Sequence, residues 1–300
     1  MSEAVYGFPP AALARAGEAA VQVSPLVIDA AMIEELADSS LDRFVVLAPP
    51  GVLERRYVLA HALRALKAGG ELLALAPKTR GGARLSHELA GFGCEVREDA
   101  KRHHRICHVT RPDSPMGVEA AIADGELRFV EKLGLWSQPG VFAWDRLDPG
   151  SALLISQPWG PSGAGADLGC GSGVLALAVL KSAEVTGLSL IDIDARAIAA
   201  ARRNLDDPRA ALLQADLRAG PPLAGLDFAI MNPPFHDVGA EDRALGQALV
   251  AAAAKMLKSG GVLRLVANVA LPYEATLVAL FRQSRLLVRE NGYKVLEAVK

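Results

Sequence analysis

Cysteine is scarce in this 300-residue chain: Cys94, Cys107 and Cys170 are the whole supply. The number is odd and no pair has CxxC spacing. That excludes a disulfide framework and fits free thiols in a reducing compartment. Long apolar runs are missing as well. "GVLALAVL" and "ALVAAAA" stop at Lys181 and Lys255, well short of the roughly 18 residues that a membrane span requires. The opening stretch "MSEAVYGFPPAALARAGEAA" lacks the basic-then-apolar layout of a signal peptide. A soluble, cytoplasmic protein with no membrane partner is expected. There is no surplus of charge of either sign, since the formal net charge is −2. This speaks against indiscriminate nucleic-acid binding. The charge is nevertheless unevenly spread. Residues 55–111 hold twelve Lys and Arg against five Asp and Glu, a basic patch in a slightly acidic chain.

What is present is an alternation of strand-like and helix-like runs, the pattern of an α/β protein with parallel sheets, and enough length for two domains. "RFVVLA", "GELLALA", "CEVRE", "AGADLG", "GLSLIDI", "AALLQA", "DFAIMN" and "GVLRLVA" read as strands. "RRYVLAHALRALKA", "ARLSHELAGF", "SGVLALAVLKSA", "DARAIAAARRNL" and "EDRALGQALVAAAAKML" read as helices. The halves echo each other. "LKAGGELLALAPK" from Leu66 resembles "LKSGGVLRLVANV" from Leu257, as though in each a helix ends in Leu-Lys and a strand leaves a Gly-Gly turn. Upstream, "DRFVVLAPPG" resembles "LDFAIMNPPF", each a strand running into Pro-Pro. Aligned on the prolines, Ala48 stands where Asn232 stands, and the first copy has seven fewer residues between Pro-Pro and Leu-Lys. A duplicated domain is expected, one copy having lost a polar group and shortened a loop. "TRPDSPMG" is the best linker, which divides the chain into residues 1–113 and 114–300.

The second half carries the chemistry. In "GADLGCGSGVLALAVL" an apolar strand reaches Asp167, and Gly169, Gly171 and Gly173 alternate before a helix. Glycine is needed where backbone turns sharply or a ligand comes close, and a helix N-terminus suits a polar ligand group. The spacing is G-x-G-x-G, with Val174 where a dinucleotide loop would have its last glycine, which argues against NAD. The next strand ends at Asp192, nineteen residues after Gly173, where an acid can accept both ribose hydroxyls. Asp194 precedes a helix and reads as its N-cap. "ALLQADL" puts Asp216 at the same edge, where a carboxylate can accept from an adenine amine. Singly, each of these acids is an ordinary strand-end residue. Together, beside a glycine loop, they are a site.

"DLGCGSG", Asp192, Asp216 and "NPPF" in that order resemble a class I S-adenosylmethionine-dependent methyltransferase. "GVFAWDRLDPGSALLI", "NPPFH" and "VANVALPYEATLVALF…NGYKVLEA" narrow the resemblance to the ribosomal RNA small subunit methyltransferase C family. It is strong over residues 135–300 and weaker before them. The resemblance implies two tandem Rossmann-like methyltransferase domains, the N-terminal one degenerate and the C-terminal one catalytic. It implies S-adenosylmethionine as cofactor, guanine N2 of small-subunit (16S) rRNA as target, and ribosomal RNA or the small subunit as partner to a monomer. No metal is called for. A guanine amine is a poor nucleophile because its lone pair is delocalised into the ring. On this reading the Asn232 carbonyl and the Pro233 backbone carbonyl accept its two N–H groups, and Phe235 stacks on the splayed base. His236 either helps remove the departing proton or packs at the surface.

The first half is expected to bind no cofactor. Its loop "PKTRGGAR", with Lys78, Arg80 and Arg84, is a candidate phosphate contact. "KRHHRICH" lacks the second separated ligand pair of a structural zinc site, and Cys170 reads as a small filler in the loop. Alternatives are guanine-N2 methylation of large-subunit rRNA, methylation of a protein glutamine amide, a DNA adenine enzyme, a non-catalytic RNA-binding assembly factor and a nicotinamide oxidoreductase. Asn268 has no role derivable from sequence.

Overall fold

The strands alternate with helices because apolar runs of five to eight residues, bounded by glycine and proline, sit between longer Ala/Leu-rich stretches. The computed structural model describes residues 2–233 and 239–300; Phe235 and His236 lie outside the described residues. The chain divides into two compact units. One comprises Met1–Leu127 with Gln138–Gly140, the other Arg128–Ser137 with Val141–Lys300.

In the first unit the strands are β1 (Glu3–Tyr6), β2 (Val21–Gln22), β3 (Leu41–Leu47), β4 (Leu66–Pro77), β5 (Val96–Lys101) and β6 (His104–Thr110), with helices α1 (Val52–Ala65), α2 (Ala83–Gly91) and α3 (Val118–Gly125). The sheet order is β2-β1-β3-β4-β6-β5, parallel up to β4, with β6 antiparallel to both β4 and β5. The second unit contains the hairpin β7 (Arg128–Val130) and β8 (Leu135–Ser137), then α4 (Pro149–Ser156), β9 (Gly163–Leu168), α5 (Val174–Val179), β10 (Val185–Asp192), α6 (Ala195–Asn204), β11 (Ala210–Gln214), β12 (Leu226–Met231), α7 (Gly239–Met256), β13 (Leu257–Asn268), α8 (Tyr273–Leu280), β14 (Gln283–Glu290) and β15 (Tyr293–Val299). Its seven-stranded sheet runs β11-β10-β9-β12-β13-β15-β14, with only β15 antiparallel to its neighbours. The central strands are covered on both faces, which is why they read as unbroken apolar runs. Both sheets are Rossmann-like, as the sequence leads one to expect. Among the described residues no helix is long and apolar enough to cross a membrane.

The internal echo is structural. β4 and β13 are both twelve residues long, and their exposed and buried positions follow the same pattern apart from one half-buried residue. In each copy the helix ends before Leu-Lys, so those residues belong to the strand. Lys67 pairs with Asp42 at 2.6 Å, and Lys258 pairs with Asp227. The register corrects the alignment made on the prolines. Arg43 lies opposite Glu71, and Phe228 lies opposite Val262. Counting along these ladders sets Leu47, not Ala48, at the place of Asn232. Strand position is set by the hydrogen-bond ladder, and the first copy reaches its prolines one residue later. Leu47 brings no hydrogen-bonding side chain either. By the same count Val5 stands where Asp167 does.

The break between units also falls later than residue 113. Arg111 donates its guanidinium to the Leu63 and Pro112 carbonyls, and Met116 N–H donates to the Phe92 carbonyl. The Gln138 side chain donates to the Gly125 carbonyl at 3.0 Å. The proline-rich segment is therefore tied to the first unit by these hydrogen bonds, and α3 stays with it because Ala121, Val118 and Ile122 pack against the first core.

Candidate active site

The site is built where the carboxyl ends of β9, β10, β11 and β12 lie side by side. Leu168 pairs with both Ile191 and Met231, and Asp192 pairs with Gln214. Asp167, the glycine loop, Asp192 and Asn232 thereby reach one sheet edge, the usual location for ligands in open α/β sheets.

Asp167 is fully buried, and its Oδ2 accepts from Ala176 N–H at 3.1 Å in the first turn of α5. Its Oδ1 has no donor among the described residues. Burial pushes this carboxyl up to about 7 against that hydrogen bond, and the neighbouring Asp192 carboxylate pushes the same way. The loop hangs on β10: Gly169 and Cys170 N–H donate to the Ile191 carbonyl at 2.8 and 3.1 Å, and Gly171 N–H donates to Asp192 Oδ2 at 2.9 Å. Gly169, Gly171 and Gly173 have φ of 72°, 53° and 86°, left-handed conformations that favour glycine. They differ in surroundings. A methyl group added at Gly171 would meet nothing within 4 Å, whereas one at Gly173 would lie 2.7 Å from Leu205 Cδ1. Gly173 is thus required by helix packing and Gly171 by backbone shape, with open space beside it. Burial raises the buried Cys170 thiol well above its usual range, so it is a filler and not a thiolate.

Asp192 Oδ1 accepts from Asp194 N–H at 2.9 Å. Burial lifts its carboxyl to about 6, opposed by the N–H groups of Asp194 and Gly171. Asp194 is the N-cap of α6, its Oδ1 accepting from Arg196 N–H at 2.9 Å. Asp216 stands just beyond β11, and both its oxygens are engaged by Arg218. Oδ1 accepts from the Arg218 N–H and Nε at 2.9 and 2.8 Å, and Oδ2 from a terminal nitrogen at 2.8 Å. This ion pair holds the Asp216 carboxyl below its usual value.

Asn232 follows β12 directly. Its Nδ2 donates to Asp148 Oδ2 at 2.8 Å and to Ser151 Oγ at 2.9 Å. Its Oδ1 is buried and has no donor among the described residues. Pro233 is buried beside it. The arrangement is a buried amide acceptor one strand away from the glycine loop and the Asp167 carboxyl, and two strands away from Asp192.

The family described as "Methyltransferase small domain" matches residues 132–297. "Ribosomal RNA small subunit methyltransferase C" of Pseudomonas paraeruginosa is 35% identical over 266 residues, spanning 85% of this chain and 78% of its own. The protein of that name from Sodalis glossinidius is 34% identical over 295 residues, spanning 96% and 81%. The chain belongs to the ribosomal RNA small subunit methyltransferase C family. Among solved structures, the T. thermophilus 16S rRNA N2 methyltransferase in complex with AdoMet and guanosine superposes with a TM-score of 0.79 at 26% sequence identity, covering 100% of this chain and 88% of that one.

Three residues of this family member escape a reading from sequence. Asp148 and Ser151 hold Asn232, and Asn204 holds the loop, donating to the Ser172 carbonyl at 2.9 Å while bonding both backbone groups of Trp136. "LDPGS" before an apolar run does signal a helix start, with Asp as N-cap and Pro at the first helical position. Nothing in it points 84 residues onward. "KRHHRICH" is divided by strand alternation: Cys107 is buried, and His108 faces the other way, against Asp99 at 3.3 Å.

Proposed function

We propose that this chain transfers the methyl group of S-adenosylmethionine to the exocyclic N2 amine of a guanine in 16S rRNA. Family membership and the likeness to a protein solved with AdoMet and guanosine support the reading. The observation that carries it is Asn232 Oδ1 at the end of β12, a buried acceptor without a donor among the described residues.

The residues present fit the cofactor. Asp167 Oδ1, without a donor among the described residues, and the open side of Gly171 offer an acceptor and a place for close approach. Asp192, held by Gly171 and Asp194 N–H, is the acceptor for ribose hydroxyls, and Gly169 and Gly173 shape the loop. Asp216 is the acceptor for the adenine amine, for which Arg218 has to yield; that cation is exposed enough to do so. When bound, the cofactor supplies an electrophilic methyl group. The chain's task is to make the amine a nucleophile. Asn232 Oδ1 and the Pro233 carbonyl accept one N–H each, which favours a pyramidal nitrogen with a directed lone pair, and Phe235 stacks on the base. Fixing the base in this way is catalysis by orientation.

The first unit is assigned the RNA backbone. Lys78, Arg80, Arg84, Lys101 and Arg102 are exposed, and none has an ion-pair partner among the described residues. Lys78 N–H donates to the His103 carbonyl at 2.8 Å, which joins the "KTRGG" turn to the β5–β6 hairpin tip. That tip uses Arg102 and His103 at φ 47° and 61°, whereas the equivalent β14–β15 turn uses Asn291 and Gly292. Asn-Gly suits such a turn. Placing two side chains with Cβ there costs of order 1–3 kcal/mol each, which supports a functional use for the cations.

Labelled S-adenosylmethionine is to be incubated with small subunits, large subunits and protein-free rRNA lacking the modification. Label is expected as N2-methylguanosine in small-subunit RNA and falls at least about 10²-fold, to a residual rate, with Asn232→Ala. Label confined to the large subunit moves the target to the other ribosomal RNA. Absence of label from all RNA refutes the reading.

A further inference from the structure

Asn232 is not free to choose its orientation. Its carboxamide could point either end into the site, and only one orientation presents an acceptor. A carboxylate can only accept, so the Asp148 oxygen 2.8 Å away fixes the NH₂ end toward α4. Ser151 Oγ, 2.9 Å from the same Nδ2, takes the second N–H. Both donor positions of the amide are thereby used, and Oδ1 is left as the end facing away from them. The holders are themselves held. Asp148 Oδ2 also accepts Ser151 N–H at 2.8 Å as the N-cap of α4, and both residues are buried. Gly150 makes room: a methyl group there would lie 3.0 Å from Asp148 Oδ2 and 2.9 Å from the Tyr293 ring.

We propose that Asp148 and Ser151 are positioning residues for methyl transfer, clamping the Asn232 carboxamide so that Oδ1 faces the guanine amine. This rests on the role given to Asn232 above. The clamp acts in two ways. It fixes the rotamer, removing the flipped state in which two N–H groups would oppose the two N–H groups of the amine. It also draws on the amide: a carboxylate accepting from Nδ2 pushes electron density toward Oδ1, which strengthens the acceptor where it meets the substrate.

The clamp and the helix cap can be separated by substitution, because Ser and Asn both serve as N-caps. Asp148→Ser keeps an oxygen for Ser151 N–H but is too short to reach Asn232. Asp148→Asn keeps one oxygen in reach and loses the charge. Single-turnover and steady-state methylation of small subunits are measured for these variants, for Ser151→Ala, for Asn232→Ala and for Asp148→Ser/Asn232→Ala, with cofactor affinity by calorimetry. Asp148→Ser is expected to lower kcat about 10²-fold, the scale of a misplaced catalytic contact, with KM and cofactor affinity changed less than about twofold. Asp148→Asn should recover most of that loss, and Ser151→Ala should lose about tenfold. In the Asn232→Ala background, Asp148→Ser should add nothing, because residues that act through one another are non-additive. Wild-type turnover by Asp148→Ser, or losses that simply multiply, overturns the clamp while leaving Asn232 in place. Should Asp148→Ser not fold, Ser151→Ala/Asn232→Ala is measured as well, and losses at Ser151 and Asn232 that simply multiply overturn the clamp equally. Wild-type turnover by Asn232→Ala alone overturns the underlying reading, and the clamp with it.

Discussion

At the scale of residues, the candidate site is marked by polar atoms short of partners among the described residues. Asp167 Oδ1 and Asn232 Oδ1 are buried acceptors without donors among the described residues, and an orphaned buried polar group is destabilising by about 1–3 kcal/mol. Such atoms persist where a ligand supplies the missing donor. Asp167 and Asp192 show the same tension in their ionisation, at about 7 and about 6. Both values lie above those of the unfolded chain, so between about pH 4 and 7 the ligand-free fold holds protons that the unfolded state has released. Stability of the ligand-free protein should therefore fall as pH rises through that window. Ribose hydroxyls and a cationic ligand both favour the ionised carboxylates. The melting-temperature gain on adding S-adenosylmethionine should accordingly be small at pH 5 and grow toward pH 8. Thermal melts across that range check both slopes, and a gain independent of pH would remove these two acids from the binding account.

At the scale of elements, two buried ion pairs anchor the loops that leave the sheets. In the second unit Arg264 on β13 pairs with Glu297 on β15 at 2.7 Å and lies 5.0 Å over the Trp159 ring. In the first, Arg55 of α1 makes a two-pronged pair with Glu88 of α2 at 2.6 and 2.7 Å, and donates to the Pro49 and Pro50 carbonyls. Arg55 is 1% exposed. It fixes the Pro-Pro turn of this copy, and its guanidinium fills the space beside Gly81 of the basic "KTRGG" turn. Removing one partner strands the other as an uncompensated buried charge. Arg55→Ala is expected to lower the stability of the first unit by about 3–5 kcal/mol, visible as an earlier urea transition. Methylguanosine formation should weaken only as far as RNA capture does. Neither pair was legible beforehand, since each partner alone reads as a surface charge on an amphipathic helix or strand.

At the scale of the whole molecule, the two units share a Rossmann-like architecture and differ in their end groups. The catalytic copy keeps Asp167 and Asn232 where the other has Val5 and Leu47, and it turns its last hairpin on Asn-Gly where the other uses Arg-His. The first copy lacks those groups at its sheet edge and carries exposed cations at Lys78, Arg80, Arg84, Lys101 and Arg102. Phosphate contacts set affinity and its salt dependence without setting sequence preference. Lys78→Glu with Arg80→Glu should weaken binding to small-subunit RNA across all sequences and flatten the slope of log K against log salt by about 1 to 2. The methylated position should not change. Filter binding at several salt concentrations measures this, and an unaltered slope would remove the basic turn from the RNA surface.

The sequence alone was enough for whatever rests on local chain chemistry. The glycines had to be glycine because the loop demands left-handed backbone, the acids lay at strand ends, and the halves echoed in Gly-Gly and Pro-Pro. From these the two Rossmann-like units, the site edge and the family could be read. Only the tertiary structure decided what depends on register and on long-range pairing. The hydrogen-bond ladder moved the counterpart of Asn232 from Ala48 to Leu47, and packing of Ala121, Val118 and Ile122 against the first core kept α3 in the first unit. Arg218 occupies Asp216, and Asp148 reaches Asn232 across 84 residues. Periodicity reports which face of an element is buried. It does not report which atom of another element will be waiting there, because that is settled by how strands stack and helices pack once the chain has closed.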